Sequence, residues 1–312
     1  MMPGPIAALR DGFGQALVDL GATNRRLVVL DGDAAPSTKA SMFASAYPDR
    51  FFQFGIAEQN MLSAAAGFAS FDFVPVVSIF ACFATKRALD QIRICIAQPA
   101  QHVVIAAGFS GLLVGKNGKT HQSVQDISIM RSMPEMTVIA PADSEEAYWA
   151  VRAAVGCDGP VYVRLVRDPT PVVFESRRDF EIGRAITLRE GKDIALITTG
   201  TMLPRAIEAA DLLEGEGIHA YILHVPTLKP LDEDAIVTAA KVTSAVVTCE
   251  EHSVIGGLGG AVCETLSERC PTIVARVGLR DTYGASGPAE ALLKKFGLTA
   301  EDIALTARRL LG

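Results

Sequence analysis

The stretch VPVVSIFACFATKRALDQIRICIAQPAQHVVIAAG, residues 74–108, reads as one complete strand–helix–strand unit. VPVVSIF and HVVIAAG are short apolar runs of the length a buried strand needs, and FATKRALDQIRICIAQ between them has helical periodicity. Strands that are hydrophobic almost without interruption are covered on both faces, as in parallel sheets wrapped by crossover helices. The alternation continues in both directions. RLVVLDG (26–32) and RFFQFG (50–55) come before the unit. MTVIAPA (136–142), PVYVRLV (160–166), DIALITTG (193–200), IHAYILHV (218–225), SAVVTCEE (244–251) and TIVARVG (272–278) come after it. Helical patterns lie between them, among them EQNMLSAAAGFAS (58–70), SEEAYWAVRAAV (144–155) and MLPRAIEAADLLEGEG (202–217). The fold class is therefore α/β, with doubly wound sheets. A chain of 312 residues has room for two domains, each with its own core. The Pro- and charge-rich segment RDPTPVVFESRRDFEIGRAI (167–186) breaks the rhythm and reads as the linker, with a boundary near 180–192.

Composition narrows the function. Hydrophobic residues make up 49% of the chain and the mean hydropathy is +0.28. The most apolar region, GFASFDFVPVVSIFACFA, is interrupted by Asp72 and Pro75, so no membrane span is expected. The surplus apolar content is assigned to buried strands and a large subunit interface. A net charge of −6 without a basic tract argues against a nucleic-acid partner. The six cysteines show no CxxC pair or zinc spacing, and the N-terminus lacks a basic region followed by an apolar core. Together these features read as a cytoplasmic protein with reduced cysteines.

VGKNGKTHQSV (114–124) contains a GKT that invites a phosphate-loop reading. That motif requires a glycine five places before Gly118, and position 113 is Leu. The residue of interest there is His121, a loop histidine among polar neighbours, suited to acid–base work or hydroxyl binding. In open α/β sheets ligands gather beyond the carboxyl ends of the strands. Glu58 opens a helix just after such an end. A glutamate there favours the helix dipole, and one set against Phe and Ile also suits a group that must hold and return a proton. Phe80 and Phe83 read either as core aromatics or as a platform for a heteroaromatic ring. Ser37, Thr38 and Lys39 read either as helix capping or as phosphate contacts. Arg164 and Arg167 end a strand and suit an anion, although Arg164 equally suits a buried ion pair. EEHSVIGGLGG (250–260) lacks metal-ligand spacing, and its glycines let a helix approach a sheet closely.

These pieces stand in a familiar order. QFGIAEQNMLSAAAGFAS, FACFATKRALDQIR, GKTHQSVQDISIMRSMPEMTVIAPAD, VYVRLVR and EEHSVIGGLGG together resemble the C-terminal half of transketolases, a pattern shared by 1-deoxyxylulose-5-phosphate synthases. The resemblance covers nearly the whole chain and lacks the family's first half. It implies a pyrimidine-binding domain over residues 1–182 and a transketolase C-terminal domain over 190–312. It also implies thiamine diphosphate chemistry, in which a two-carbon ketol unit passes from a ketose phosphate to an aldose acceptor. By resemblance, Glu58 hydrogen-bonds the aminopyrimidine ring nitrogen, Phe80 stacks on that ring, and Phe83 and Ile56 line its pocket. His121 faces the substrate and joins Glu58 as a catalytic residue. Asp33, Ser37, Asn117 and Arg167 are the substrate contacts, with Ser37 and Arg167 at the phosphate end.

In the family, the divalent cation (magnesium or calcium) and the diphosphate are held by the missing half, so no metal site is expected in this chain. The resemblance therefore implies an N-terminal-section partner and a heterotetramer with two copies of each chain, inactive without that partner. Asn117 stands where typical transketolases carry Asp, and Phe109 where many carry His. With Lys116 and Lys119 nearby, this suggests a modified or differently anionic sugar. The alternatives are the β subunit of a 2-oxo-acid dehydrogenase and a non-catalytic scaffold that kept the fold.

Overall fold

The computed structural model describes residues 5–174 and 180–312. Residues 175–179, in the middle of the segment read as linker, lie outside the described residues. The first sheet has seven strands, in the spatial order Thr227–Lys229, Thr137–Ile139, Val161–Arg164, Val104–Gly108, Val74–Phe80, Leu27–Asp31 and Phe51–Gln53. Neighbours run parallel except at Thr227–Lys229, which lies antiparallel to Thr137–Ile139. The second sheet runs Val274–Leu279, Val246–Ser253, Ile194–Thr198, Ala220–His224 and Ile186–Arg189, with only the last strand antiparallel. Ile6–Ala7 pairs antiparallel with Thr170–Pro171.

Alternation along the strands builds the core. Val29 and Val76 belong to one buried apolar cluster, while their neighbours Leu30 and Val77 point the other way into a second. Leu196 and Ile197 of the second sheet divide between the same two clusters. Each cluster thus runs through both sheets, so the two halves of the chain pack against each other as well as within themselves. The edge strand Thr227–Lys229, supplied by the second half of the chain to the first sheet, ties the halves further.

The helix Glu58–Ser70 follows the apolar pattern EQNMLSAAAGFAS from end to end. Residues 83–98, expected as one α-helix, instead form two wider π-helical turns, Phe83–Arg87 and Ile92–Ala97, around Leu89–Gln91. Such turns recur at functional sites, where the wider winding re-aims side chains. Among the described residues, no helix is long and apolar enough to cross a membrane. All six cysteines are unpaired.

Gly12 shows how closely these elements pack. It lies in the helix Leu9–Thr23, and a Cβ built there would sit 2.0 Å from the Ser144 carbonyl oxygen at the start of the helix Ser144–Gly156. Helix propensity alone makes Gly12→Ala stabilising by up to about 1 kcal/mol. The clash with backbone reverses the sign, and we expect a net loss of about 1–3 kcal/mol. Urea denaturation of the variant measures this, and an unchanged or raised midpoint contradicts the packing argument.

Candidate active site

Two turns at the carboxyl edge of the first sheet are organised by one amide. Gln53 Oε1 accepts the Asp33 and Gly55 N–H groups at 2.9 Å each, and Gln53 Nε2 donates to Asp31 Oδ2 at 2.9 Å. Asp31 Oδ2 also accepts the Ala34 N–H at 2.8 Å. The chain turns through Asp33 at φ 63° and through Gly55 at φ 65°. The second turn leads through Ile56, which is 74% exposed, to Glu58 at the first position of its helix.

Glu58 is buried, at 2% exposure. Its Oε1 accepts a hydrogen bond from Arg87 Nη1 at 2.7 Å, while its Oε2 is buried without a partner. The setting is therefore not purely apolar, because a guanidinium holds one oxygen and leaves the other free. The Arg87 guanidinium carbon lies 4.4 Å above the Phe83 ring. Phe83 stacks at 5.8 Å on Phe80, which in turn stacks on Phe109 with ring centroids 4.0 Å apart and planes 21° from parallel. The His121 ring stands edge-on to this group, 6.2 Å from Phe80 and 5.8 Å from Phe83. Phe109 has φ 58°, a left-handed conformation costly for an aromatic residue, and such strain collects at functional sites. Cys82, next to Phe83, does not act as a ready nucleophile, because burial pushes its thiol up to about 11.

The structure also brings Ser37 and Arg167 together. Both line one small cleft with Arg10, Thr38 and Phe109. Arg10 Nη1 donates to the Ser37 carbonyl at 2.8 Å, and the Arg167 guanidinium carbon lies 5.5 Å from the Phe109 ring centre. The Thr38 and Ser78 hydroxyls are hydrogen-bonded at 2.7 Å, and Lys39 is 3.6 Å from Asp11. Asp33, Ile56 and Asn117 stand exposed on the bordering turns, Asn117 just before Gly118 at φ 71°. Arg164 makes the buried pair rather than an anion contact. Its Nε donates to Asp126 Oδ2 at 2.9 Å, and its Nη2 donates to the Glu251 carbonyl at 2.9 Å.

Three residues with structural weight here escaped the sequence reading as individuals: Gln53, Arg87 and Glu251. Only Arg87 carried a signal, since it lies four residues, about one helical turn, after Phe83. Glu251 holds the loop that bears His121. Its Oε1 accepts the Leu112 and Leu113 N–H groups, the latter at 2.7 Å, and its Oε2 lies 3.6 Å from Arg164 Nη1. Burial pushes the Glu251 carboxyl up, with Arg164 and the two amides opposing. Gly111, at φ 68°, has no room for a Cβ, which would fall 2.4 Å from Glu251 Oε1. At the far end of the loop, Gln122 Nε2 donates to the Ala285 carbonyl at 2.9 Å. In EEHSVIGGLGG, Glu250 caps the helix Leu258–Arg269 by accepting the Leu258 and Gly259 N–H groups at 2.8 and 2.9 Å.

A buried carboxylate oxygen without a partner, next to a ring stack at the carboxyl edge of a parallel sheet, describes a cofactor-type site. Comparison with known proteins gives the family. Residues 6–172 match the family model for the transketolase pyrimidine-binding domain, and residues 183–303 match that for the transketolase C-terminal domain. A protein of Methanocaldococcus jannaschii described as a transketolase C-terminal section is 42% identical over 306 residues, covering 97% of this chain and 96% of its own length. The 6-deoxy-6-sulfo-D-fructose transketolase subunit of a Clostridium species is 40% identical, covering 96% of this chain and 93% of its own. A solved split-gene transketolase, described as an inactive β4 tetramer, superposes with a TM-score of 0.92 at 46% identity, covering 97% of this chain and 98% of its own. The chain belongs to the transketolase family.

Replacing Glu251 with Ala strips two buried amides of their acceptor and leaves Arg164 with one carboxylate, so a loss of about 3–5 kcal/mol is expected. Limited proteolysis of the folded fraction should then cut first between residues 112 and 122. Wild-type stability and cleavage pattern would show that the loop does not depend on this carboxylate.

Proposed function

We propose that this chain is the C-terminal-section subunit of a split transketolase and contributes one half of a thiamine diphosphate site. The observation that carries this reading is Glu58, whose Oε2 is buried and unpaired while Arg87 occupies Oε1. An orphaned buried carboxylate oxygen costs about 1–3 kcal/mol and is relieved by a ligand N–H. A protonated ring nitrogen beside a flat aromatic surface supplies one, so the residues present fit the cofactor. Thiamine diphosphate, when bound, provides the electron sink for breaking a carbon–carbon bond next to a carbonyl.

In this reading the chain's own residues have separate tasks. Glu58 holds a proton at the ring nitrogen and takes it back, and Arg87 keeps the carboxylate in its orientation. Phe80, Phe83 and Ile56 form the apolar wall that excludes water. His121 hydrogen-bonds a sugar hydroxyl and moves a proton there. Ser37 and Arg167 receive the phosphate end, with Arg10 beside them, and Asp33 and Asn117 address the rest of the sugar. The diphosphate and its magnesium or calcium ion fall to an N-terminal-section partner, in a heterotetramer with two copies of each chain. The reaction is ketol transfer from a ketose phosphate to an aldose.

A modified sugar is the favoured substrate. Phe109 is buried in the ring stack and offers no hydrogen bond, while Lys116, Asn117 and Lys119 stand exposed on the His121 loop. The Clostridium relative is named for a sulfonated sugar, which is in keeping with a differently anionic substrate. The relatives described above are transketolases, so the β subunit of a 2-oxo-acid dehydrogenase is not favoured. The scaffold alternative predicts partner binding without turnover.

The test is reconstitution with a partner chain and thiamine diphosphate. This chain alone should show no ketol transfer, and the complex should turn over. Glu58→Ala should lower turnover by at least about 10²-fold. Unaided activity would remove the split-subunit reading, and wild-type-like turnover of the variant would remove the role of Glu58. Equal or better activity on xylulose 5-phosphate than on any modified sugar would remove the substrate assignment.

A further inference from the structure

A groove of about 370 Å³ lies on the open edge of the second sheet, away from Glu58. Arg276, Arg280, Lys295 and Arg309 line it, with Phe296 and Leu305 as apolar walls. These cations come from the edge strand Val274–Leu279 and its end, and from the two helices Ala289–Lys295 and Ala300–Leu311. Elsewhere in this half of the chain arginines are matched. Among the described residues from 180 onward, Arg184, Arg189, Arg205, Arg269 and Arg308 each form an ion pair. The other three, Arg276, Arg280 and Arg309, form none, and all three line this groove.

The one acid in the lining, Asp302, leaves the four cations in excess by three. Its Oδ2 accepts from the Thr299 N–H at 3.1 Å and from the Thr299 hydroxyl at 2.8 Å in a helix-capping box. Arg276 and Arg280 are each anchored by one guanidinium N–H, Arg276 to the Val254 carbonyl at 3.0 Å and Arg280 to the Arg276 carbonyl at 3.0 Å. Anchoring of this kind pre-organises a guanidinium while leaving most of its donors free. Four cations gathered in one concavity against a single carboxylate, in a chain of net charge −6, repel one another unless an anion joins them.

We propose that this groove binds a small molecule carrying a di- or triphosphate group. A single phosphate dianion leaves part of this excess charge unmatched, whereas a di- or triphosphate matches it and Arg forks suit its oxygens. The apolar walls give room for a ring or carbon chain attached to the phosphates. The site is also placed to act on the reaction loop. Arg280 begins the segment that runs to Ala285, whose carbonyl holds Gln122 next to His121. A ligand that orders this segment is an effector by position.

The experiment is isothermal titration calorimetry of the full chain with inorganic tripolyphosphate and, separately, with adenosine triphosphate. It does not depend on ketol transfer. We expect saturable binding with Kd on the order of 10–100 µM at low salt, weakening as salt is raised. The double variant Arg280→Glu/Arg309→Glu should weaken it at least about tenfold. Arg269→Glu, which lies outside the groove, should leave it unchanged, and circular dichroism checks that each variant is folded. Tighter binding of adenosine triphosphate than of tripolyphosphate would support use of the Phe296 wall. No saturable binding of either probe, or binding indifferent to the double variant, would overturn the proposal. Loss of binding when a partner polypeptide is added would also overturn it, assigning the groove to a protein interface.

Discussion

Much of this site's geometry depends on one buried carboxylate, that of Glu251. It reaches from the second sheet to the Leu112 and Leu113 amides, and its other oxygen lies near Arg164, which is bonded to Asp126 of the first domain. A charge with no access to water must be compensated on every side, so each partner is held firmly in place. The loop between Gly111 and Val124 therefore leaves the sheet in one direction, and His121 comes to rest edge-on to Phe80 and Phe83. The C-terminal domain is in this sense part of the site, although none of the residues assigned from sequence to the chemistry lies in it.

The site carries two local costs that a self-contained domain would avoid. Glu58 keeps one carboxylate oxygen buried without a partner, and Phe109 holds a positive φ in a closely stacked aromatic cluster. Costs of this kind persist where the surrounding packing over-determines them. Here the ring stack holds Phe109 and the Arg87 guanidinium holds Glu58.

How much was legible in the sequence follows from the range of each interaction. The central strands were plain because a strand buried on both faces is apolar almost throughout, as in Val104–Gly108. The helix Glu58–Ser70 was plain for the same local reason. Ile186–Arg189 and Thr227–Lys229 were not, since these edge strands are short and mixed in composition and take their pairing from distant partners. The π-helical winding of Phe83–Arg87 was also out of reach, because no periodicity distinguishes it over five residues. Glu58, Phe80, Phe83 and His121 could be singled out by residue type and position at strand ends.

The sequence by itself determined the α/β class, the order of strands along the chain and the set of side chains available at the carboxyl edge. Those are properties of short windows, governed by burial and backbone preference. Tertiary structure alone decided that Arg87 pairs with Glu58 across 29 residues, that Gln53 ties two turns together, and that Glu251 grips a loop 138 residues away from it. A charge or an amide in a sequence does not say which partner it will meet. The partner is chosen when two sheets close on a shared core, water is excluded, and each buried polar group must bond to what lies beside it.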